Sequence, residues 1–334
     1  MSNVHNSTSV ALSVSAAAAR NLATATVTVP QTVQITPRWL LRLLPYVHVD
    51  GGVYRVNQVA KAEKGQLANE YGERQVELLT SEGGSAEGGE PLLPTTFVDY
   101  KKSPREYHLN TVQTVLHTHT RVTDLYSNKI DQLREQIRLT VEAVKEREEW
   151  ELLNNADFGL LKEIAPEQSI NARSGAPTPD DLDELLALVW KKPAFFLAHP
   201  KAIAAFGREC TRRGVPPPTV QIFGSPFLTW RGVPLIPSNK LDIKAESKGG
   251  PETTSIILLR VGEADQGVVG LQKAGVTGEL EPGLSVRYMS TNEHSIASHL
   301  VTRYFSVAVL TQDAIARLDN VHVDSYHKYV YPKA

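Results

Sequence analysis

Apolar residues recur at helical spacing between residues 128 and 155, the longest regular pattern in the chain. Ile130, Leu133, Ile137, Val141 and Val144 follow one another at steps that place them on one face of a helix. At about 1.5 Å per residue this helix would span roughly 40 Å. Only about two heptads hold the pattern, which disfavours a coiled-coil arm. The pattern predicts a long helix that crosses a mixed domain.

The other face of this predicted helix is charged. It carries Arg134, Glu135, Arg138, Glu142, Lys145, Glu146 and Glu149. The carboxylate-rich stretch 146–151 is most simply interpreted as a face exposed to solvent.

Four shorter elements are predicted before the long helix. A short apolar helix covers residues 38–44 and ends at Pro45. Strands are predicted over 53–59 and 95–100, joined by a long connection whose tip, residues 80–90, is rich in Gly and Glu. So long a connection indicates an extended arm rather than a buried hairpin. Residues 109–125 are predicted as a helix that leads into the long one.

The second half of the chain begins with helices and continues with strands. Thr178, Pro179 and Asp181 form a strong helix start, a buried strand is predicted over 194–198, and a further helix runs from Pro200 to near Gly214. Further strands are predicted over 220–223, 227–230, 233–236, 255–261, 267–271, 284–288 and 300–310. This order indicates an α+β fold rather than a doubly wound α/β sheet.

Composition excludes several classes of protein. The 334 residues carry a formal charge of −2, so the overall basic footprint of a nucleic-acid-binding protein is missing. The single cysteine, Cys210, excludes an internal disulfide framework and suits a reducing cytoplasm. No apolar run is long enough for a membrane span, and residues 10–19 lack the preceding basic residues of a signal peptide. Residues 1–37 contain one charged residue, Arg20, and are expected to order against another surface.

The motifs of enzymes are missing from the sequence. It has no Walker A loop, no well-placed GxGxxG and no GxSxG. His117 and His119 would lie on different faces of the helix predicted there and could not bind one metal. His322 and His327 allow a metal site, although histidines near a terminus are more often simply exposed. The sequence therefore predicts a non-enzymatic protein with extended arms, without catalytic, cofactor-binding or metal-binding residues.

One basic cluster stands at the end of the helix that begins at Pro200. Arg208, Arg212 and Arg213 precede a turn that contains Gly214 and three prolines, which makes it stiff and poor in backbone donors. The arginines fit either favourable charges at a helix C-terminus or the lining of a pore or anion site. The residues of the candidate pore turn are Arg212, Arg213, Gly214, Val215, Pro216, Pro217 and Pro218.

The order of these features resembles the Hong Kong 97 phage-capsid fold: an N-terminal arm, a two-stranded extended loop, a long helix and a strand-rich domain. The similar segments are 180–186 (DDLDELL), 193–206 (PAFFLAHPKAIAAF), 230–238 (WRGVPLIPS) and 308–318 (AVLTQDAIARL), the last as a final strand and short helix.

Five segments resemble, more narrowly, the family 2A encapsulins, which are bacterial nanocompartment shells related to capsids. They are 35–40 (ITPRWL), 54–58 (YRVNQ), 97–100 (FVDY), 124–128 (DLYSN) and 208–217 (RECTRRGVPP). The resemblance covers nearly the whole chain except residues 1–15 and 80–91. The related 2B shells carry a cyclic-nucleotide-binding insertion for which this chain has no room.

The resemblance implies an architecture and a division of the chain. It implies an N-terminal arm over 1–48, an extended loop over 49–108, a peripheral domain with the long helix over 109–190, an axial domain over 191–290, and a return to the peripheral domain with a tail over 291–334. It also places residues 212–218 at a pore on a five-fold axis, where five copies of the turn would meet.

The resemblance also implies a function. It implies a cytoplasmic icosahedral shell, of the smallest size with 60 subunits, that encloses a cysteine desulfurase and serves sulfur metabolism or sulfur storage. No cofactor, nucleic acid or membrane is expected. The second hypothesis is a bacteriophage or prophage major capsid protein, which has the same fold and differs in holding nucleic acid. The third is a soluble enzyme of unknown type, which a purely monomeric mass in solution would support.

Overall fold

The computed structural model describes residues 33–79, 94, 99–119, 132–245 and 250–326. The chain divides into two compact units, Met1–Thr36 and Pro37–Ala334. Of the first unit, residues 33–36 are described, and they contain neither helix nor strand. All elements below belong to the second unit.

The described residues form five α-helices. They are α1 Trp39–Leu43, α2 Gln132–Asn154, α3 Leu160–Glu163, α4 Pro179–Leu188 and α5 Pro200–Arg212, with 3₁₀ turns at Pro166–Gln168 and Gln312–Ala314. The long helix is confirmed as α2, which has 23 residues; positions 128–131 of the prediction lie outside the described residues. The start of α4 is a capping box, in which Thr178 Oγ1 accepts from Asp181 N at 3.2 Å and Asp181 Oδ2 accepts from Thr178 N at 2.9 Å.

The strands form two large sheets and one small one. Sheet 1 contains β1 Tyr46–His48, β4 Asn110–His119, β12 Val268–Gln272, β13 Glu279–Glu281, β14 Leu284–Thr291 and β15 Ile296–Val309. Sheet 2 contains β5 Ser169–Asn171, β6 Phe195–Ala198, β7 Thr219–Ile222, β8 Ser225–Trp230, β9 Val233–Pro237, β10 Lys244–Ala245, β11 Glu252–Leu259 and β16 Ile315–His322. The small sheet pairs β2 Val53–Val56 with β3 Arg105–His108.

Sheet topology brings distant parts of the chain together. The long strand β15 pairs antiparallel with β4, β12 and β14. Sheet 2 runs in the order β5-β16-β11-β6-β9-β8-β7 and is mixed, because β6 pairs parallel with β9 and antiparallel with β11. This confirms the α+β arrangement of the elements.

Sheet 2 is buried on both faces at its centre. In β6, Phe195 and Leu197 point to a core shared with α1, α2 and β15, whereas Phe196 and Ala198 point to a core under α4 and α5. All four side chains are at most 3% exposed. A strand buried on both faces needs a continuous apolar run rather than alternation, which is why residues 194–198 are recognisable in the sequence.

The helix predicted over 109–125 is wrong. Residues Asn110–His119 form β4, paired with β15 over ten consecutive positions. Val112, Val115 and Leu116 imitate helical spacing, but the segment is rich in Thr and Val, whose branched side chains favour strands. Pairing with β15 decided the outcome. Residues 120–125 lie outside the described residues.

One further strand prediction needs correction. The strand predicted over 53–59 ends at Val56 and pairs with β3. Of the strand predicted over 95–100, only residues 99–100 are described, and Tyr100 forms an isolated bridge with Val59. The Gly- and Glu-rich tip, residues 80–90, lies outside the described residues.

The short helix expected after the last strand is also wrong. Residues Gln312–Ala314 make a single 3₁₀ turn, and Ile315–His322 form β16, which pairs with β11 and β5. Ile315, Ala316 and Leu318 are fully buried, so they belong to a central strand of sheet 2. The division into arm, extended loop, peripheral and axial domains stays a prediction.

The stretch 146–151 is not the exposed face that its composition suggests. Glu148 and Glu149 are 0% and 1% exposed. The guanidinium of Arg303 donates two hydrogen bonds of 2.8 Å to the Glu148 carboxylate. A buried carboxylate is stable only with such partners, and here the partner comes from β15, far along the chain.

A buried ion pair joins the end of β11 to the loop before β16. Arg260 is 1% exposed, and its Nη2 donates to Asp313 Oδ1 at 2.7 Å and to Thr311 Oγ1 at 2.7 Å. Lys191 Nζ lies 2.7 Å from Asp313 Oδ2 but is half exposed. Burial alone would raise the pKa of Asp313, yet hydrogen bonds from Arg260, Lys191 and Thr311 outweigh burial and hold that pKa below its usual range.

We expect Asp313→Ala to lower the free energy of unfolding by about 3–5 kcal/mol, because it leaves the Arg260 charge buried without a counter-charge. Lys191→Ala removes an exposed partner of the same carboxylate and should cost at most about 1 kcal/mol. Denaturant unfolding of both variants measures the difference. Equal losses in the two variants would contradict the assignment of the stabilisation to the buried pair.

Candidate functional site

Helix α5 leads into the candidate pore turn, and its start is fixed by local sequence. Pro200 occupies the first turn, where its missing N–H costs nothing, and His199 Nδ1 accepts a hydrogen bond from Lys201 N at 3.1 Å. Burial and the nearby Lys201 lower the pKa of His199, which keeps this nitrogen free to accept. Phe206 and Cys210 anchor the buried face of the helix.

The end of α5 is a Schellman motif. Val215 N donates to Cys210 O at 3.0 Å, and Gly214 N donates to Thr211 O at 3.1 Å. Gly214 has a φ of +72°, with nothing within 4 Å of the place a Cβ would occupy. Glycine is therefore needed here for its backbone conformation and not for space.

Three prolines follow and project the chain away from the helix. Pro218 O accepts hydrogen bonds from Thr229 N at 2.8 Å and from Thr229 Oγ1 at 3.1 Å, which fixes the end of the turn to β8. Between these anchors Val215 is half exposed, and Pro216 is exposed. The turn is thus an exposed segment with fixed ends and little backbone freedom.

The arginines of the turn are ion-paired on their own helix. Glu209 is buried, and its carboxylate contacts Arg212 and, at 2.8 Å, Arg213 Nε. Arg213 also lies 3.5 Å from Asp180 Oδ2 on α4. The four charges sum to zero, and this favours the interpretation of the arginines as helix-end charges over that of a strongly anion-attracting ring. Both guanidinium groups stay partly exposed.

Arg208 makes different contacts from Arg212 and Arg213. Its Nη2 donates to Val323 O at 2.9 Å, and its guanidinium lies 4.5 Å from the ring centroid of Tyr326. These contacts close one side of a groove of about 740 Å³. The groove is lined by Gly207, Arg208, Thr211, Arg212, Pro217, Leu228 and Tyr326.

Cys210 has no reactive environment. It is fully buried, and burial raises the pKa of its thiol to about 11, which leaves the unreactive protonated form at neutral pH. Cys210 therefore fits its surroundings as a small buried apolar residue.

The hairpin β7–β8 follows the candidate pore turn and touches α1. Its two-residue turn, Phe223–Gly224, has φ values of 50° and 77°, as a type I′ turn requires. The Phe223 ring stacks on Trp39 of α1 with centroids 6.2 Å apart, and Phe227 meets Trp39 edge-on at 5.1 Å. The sequence pattern gave no sign of this contact, because nothing local relates positions 39 and 223.

The histidine prediction is wrong in its geometry. His117 lies on β4, where residues two apart share one side of the strand, rather than on a helix. Its Nδ1 lies 3.0 Å from Ser298 Oγ. His327 lies outside the described residues.

Within residues 33–79, 94, 99–119, 132–245 and 250–326, no three His, Cys, Asp or Glu side chains come together as a metal site. None of the helices that the structure describes is long and apolar enough to cross a membrane.

Comparison with known proteins gives the family. The profile of the SrpI-like family, described as type 2A encapsulin shell protein SrpI-like, matches residues 61–325. The chain belongs to the SrpI-like type 2A encapsulin shell proteins. The shell protein SrpI of Synechococcus elongatus is 57% identical over 314 residues, which are 94% of this chain and 95% of the relative. A type 2A encapsulin shell protein of Mycobacterium leprae is 54% identical over 312 residues, which are 93% of this chain and 95% of the relative.

Solved structures agree with the family and define the fold. The holo-SrpI encapsulin complex of S. elongatus superimposes with a TM-score of 0.78 at 54% identity, covering 96% of this encapsulin and all of that chain. A structure from Microbacterium phage Oxtober96 matches with a TM-score of 0.58 at 11% identity, covering 90% and 97% of the two chains. The capsid of a native GTA particle gives 0.57 at 11% identity and covers 92% and 99%. The encapsulin thus has the α+β fold of Hong Kong 97-like capsids, as the resemblance implied.

We expect Gly214→Ala and Gly207→Ala to change stability in opposite directions. Gly214→Ala forces a residue with a Cβ into a left-handed conformation and should cost about 1 kcal/mol. Gly207 lies inside α5, where an added Cβ would meet Leu228 at 3.8 Å, so alanine should stabilise by about 0.5–1 kcal/mol. Denaturant midpoints of the two variants test this, and a loss at Gly207 would show that the groove beside it tolerates no added atom.

Proposed function

We propose that this encapsulin is the subunit of a closed icosahedral shell of 60 copies that encloses a cargo enzyme. The observation that carries the proposal is the match to the holo-SrpI encapsulin complex over the whole of that chain. The cargo that the family resemblance suggests is a cysteine desulfurase, with a role in sulfur metabolism or storage in the cytoplasm. The shell protein itself would confine the enzyme and carry out no chemistry.

The surface of the subunit supports assembly. Large apolar side chains are exposed on several described segments, including Leu67 at 51%, Leu78 at 78% and Trp190 at 69%. Leu133, Leu139 and Val115 add exposed apolar area on α2 and β4. Exposed apolar side chains gain stability when a partner removes them from water, and neighbouring subunits of a shell would cover them.

A phage major capsid protein is the second candidate. It shares the fold, but the phage and GTA chains are 11% identical to this one, whereas the encapsulin shell relatives above are 54–57% identical. The nature of the content separates the two functions, since a phage head encloses nucleic acid.

We expect the purified full-length protein to elute as one species with the mass of a closed shell, because many weak interfaces stabilise a closed assembly collectively. Size-exclusion chromatography with light scattering measures the mass, and negative-stain images give the particle diameter. Particles isolated from the source cells should contain a cysteine desulfurase by mass spectrometry and no protected nucleic acid. A stable monomer or dimer would contradict the shell, and protected nucleic acid would favour the phage capsid.

We further propose that residues 212–218 line a pore at a five-fold axis. The support is the exposed turn with two fixed ends, together with the family resemblance. Because Glu209 and Asp180 compensate Arg212 and Arg213, substitution of either arginine would also disturb the buried carboxylate of Glu209. Val215 is half exposed and has no charged partner to lose, so it is the better position for a test.

We expect Val215→Lys to speed the entry of small anions and Val215→Glu to slow it, because a five-fold pore repeats the added charge five times. Neutral solutes should enter at similar rates in both variants, and the difference should shrink as salt rises. Turnover of an encapsulated reporter enzyme with charged and neutral substrates measures entry. Equal anion rates in two intact shells would place the pore elsewhere.

A further inference from the structure

A buried cluster of charges holds α1 against the long helix α2. Glu149 on α2 is 1% exposed, and its Oε1 accepts a hydrogen bond of 3.1 Å from the backbone N–H of Leu40. Leu40 is itself fully buried in the core shared with α2 and sheet 2. The position of α1 on α2 therefore depends on a direct contact with an ionisable side chain that lies inside the apolar core.

Two cations and two further carboxylates complete the cluster. The guanidinium of Arg38 lies 2.5 Å from Glu142 Oε2 and 3.1 Å from Glu146 Oε1. Lys240, from the loop after β9, lies 2.6 Å from Glu146 Oε2. Arg38, Glu142, Glu146 and Lys240 sum to zero charge. The cluster is thus neutral when Glu149 is protonated and carries one net negative charge when Glu149 is ionised.

Other groups near Glu149 do not offset this charge. Glu148, the next residue of α2, is paired with Arg303, and Lys145 is paired with Glu281, so each of these pairs is neutral. The guanidinium of Arg42 on α1 lies over the ring of Trp39. The phenol of Tyr46 lies close enough to Glu149 for its own pKa to be raised by it, but burial is the larger cause. A neutral phenol adds no charge to the cluster.

Arg38 has a strained backbone at this point. Its φ and ψ are 49° and 56°, the left-handed region that residues other than glycine rarely adopt. The chain enters its second unit at Pro37, so Arg38 is the second residue of that unit. Strain of this kind persists only where the surroundings impose it and is often found at switches. Here the side chain of Arg38 is held by the carboxylates of Glu142 and Glu146 on α2.

We propose that Glu149 is a proton-controlled clasp, which seats Arg38 and α1 on the long helix when protonated and loosens them when ionised. The mechanism is a charge imbalance. Loss of the proton places a net negative charge in an apolar core without adding a partner, so the closed arrangement loses stability relative to an open one that exposes the carboxylate to water.

The direction of the pH effect follows from the shift of the carboxyl group. Burial raises the pKa of Glu149 to about 7, with Glu146 acting in the same direction and the Leu40 N–H, Lys240 and Arg38 opposing it. In the open arrangement the pKa would return to about 4.3. The closed state therefore binds the proton more tightly, its stability is highest at acid pH, and this stability is lost as pH rises towards 7.

Hydrogen exchange of the assembled full-length protein tests the clasp. After correction for intrinsic exchange, the opening constant of a peptide covering residues 38–44 should rise roughly tenfold per pH unit between pH 5 and 7 and level off above that. Glu149→Gln, which keeps an acceptor but cannot ionise, should remove this slope. Glu151→Gln is the matched control on the same helix, because Glu151 pairs with exposed Arg147, and it should keep the slope.

A second variant keeps the test decisive if Glu149→Gln does not assemble. Lys240→Gln removes one cation from the cluster, so the levelling-off should move to higher pH. A flat wild-type profile, a slope that persists in Glu149→Gln, or a midpoint that Lys240→Gln leaves unchanged would each overturn the proposal.

Discussion

The two-sided burial of β6 and β11 is the constraint on which the rest of the structure depends. Ile257 and Leu259 of β11 face the core of α1, α2 and β15, while Ile256 and Leu258 face the core of α4 and α5. Removing the layer on either face of such a strand would expose apolar area to water, at a free-energy cost of about 25 cal/mol per Å². Sheet 2 therefore couples the region of the long helix to the region of the candidate pore turn.

Polar contacts fix the positions of the helices and sheets around these two apolar cores. Arg303 on β15 binds Glu148 on α2, Arg260 at the end of β11 binds Asp313 in the loop before β16, and Glu149 on α2 binds the backbone of α1. Each is a buried ionisable group whose partner comes from a distant part of the chain, so a wrong arrangement of layers would leave it without that partner. Such contacts specify the arrangement of the layers more than they add to stability. The proposed clasp depends on one of them, the contact of Glu149, because the pKa of this carboxyl group lies near neutral pH.

The candidate pore turn combines rigidity with exposure. A Schellman motif closes α5 before it, Thr229 holds Pro218 after it, and the prolines between restrict the backbone. A turn of this kind can line an opening without collapsing into it. The compensation of Arg212 and Arg213 by Glu209 and Asp180 indicates that the shape of the turn, more than its net charge, would set what passes.

The sequence by itself determined the elements whose signals are local: α2 from its apolar spacing, α4 from its capping box, α5 from Pro200 to Gly214, β6 from its continuous apolar run, and the family from short motifs. Only the tertiary structure decided the rest. Residues 110–119 became a strand because β15 pairs with them, and residues 315–322 because β11 and β5 do. Glu148 and Glu149 can be buried because Arg303 and the backbone of Leu40 bind them. Both partners lie far away in sequence, so no local pattern indicates the burial. Likewise, only the structure shows that Glu209 and Asp180 compensate the charges of Arg212 and Arg213, because charge compensation depends on distances and not on composition.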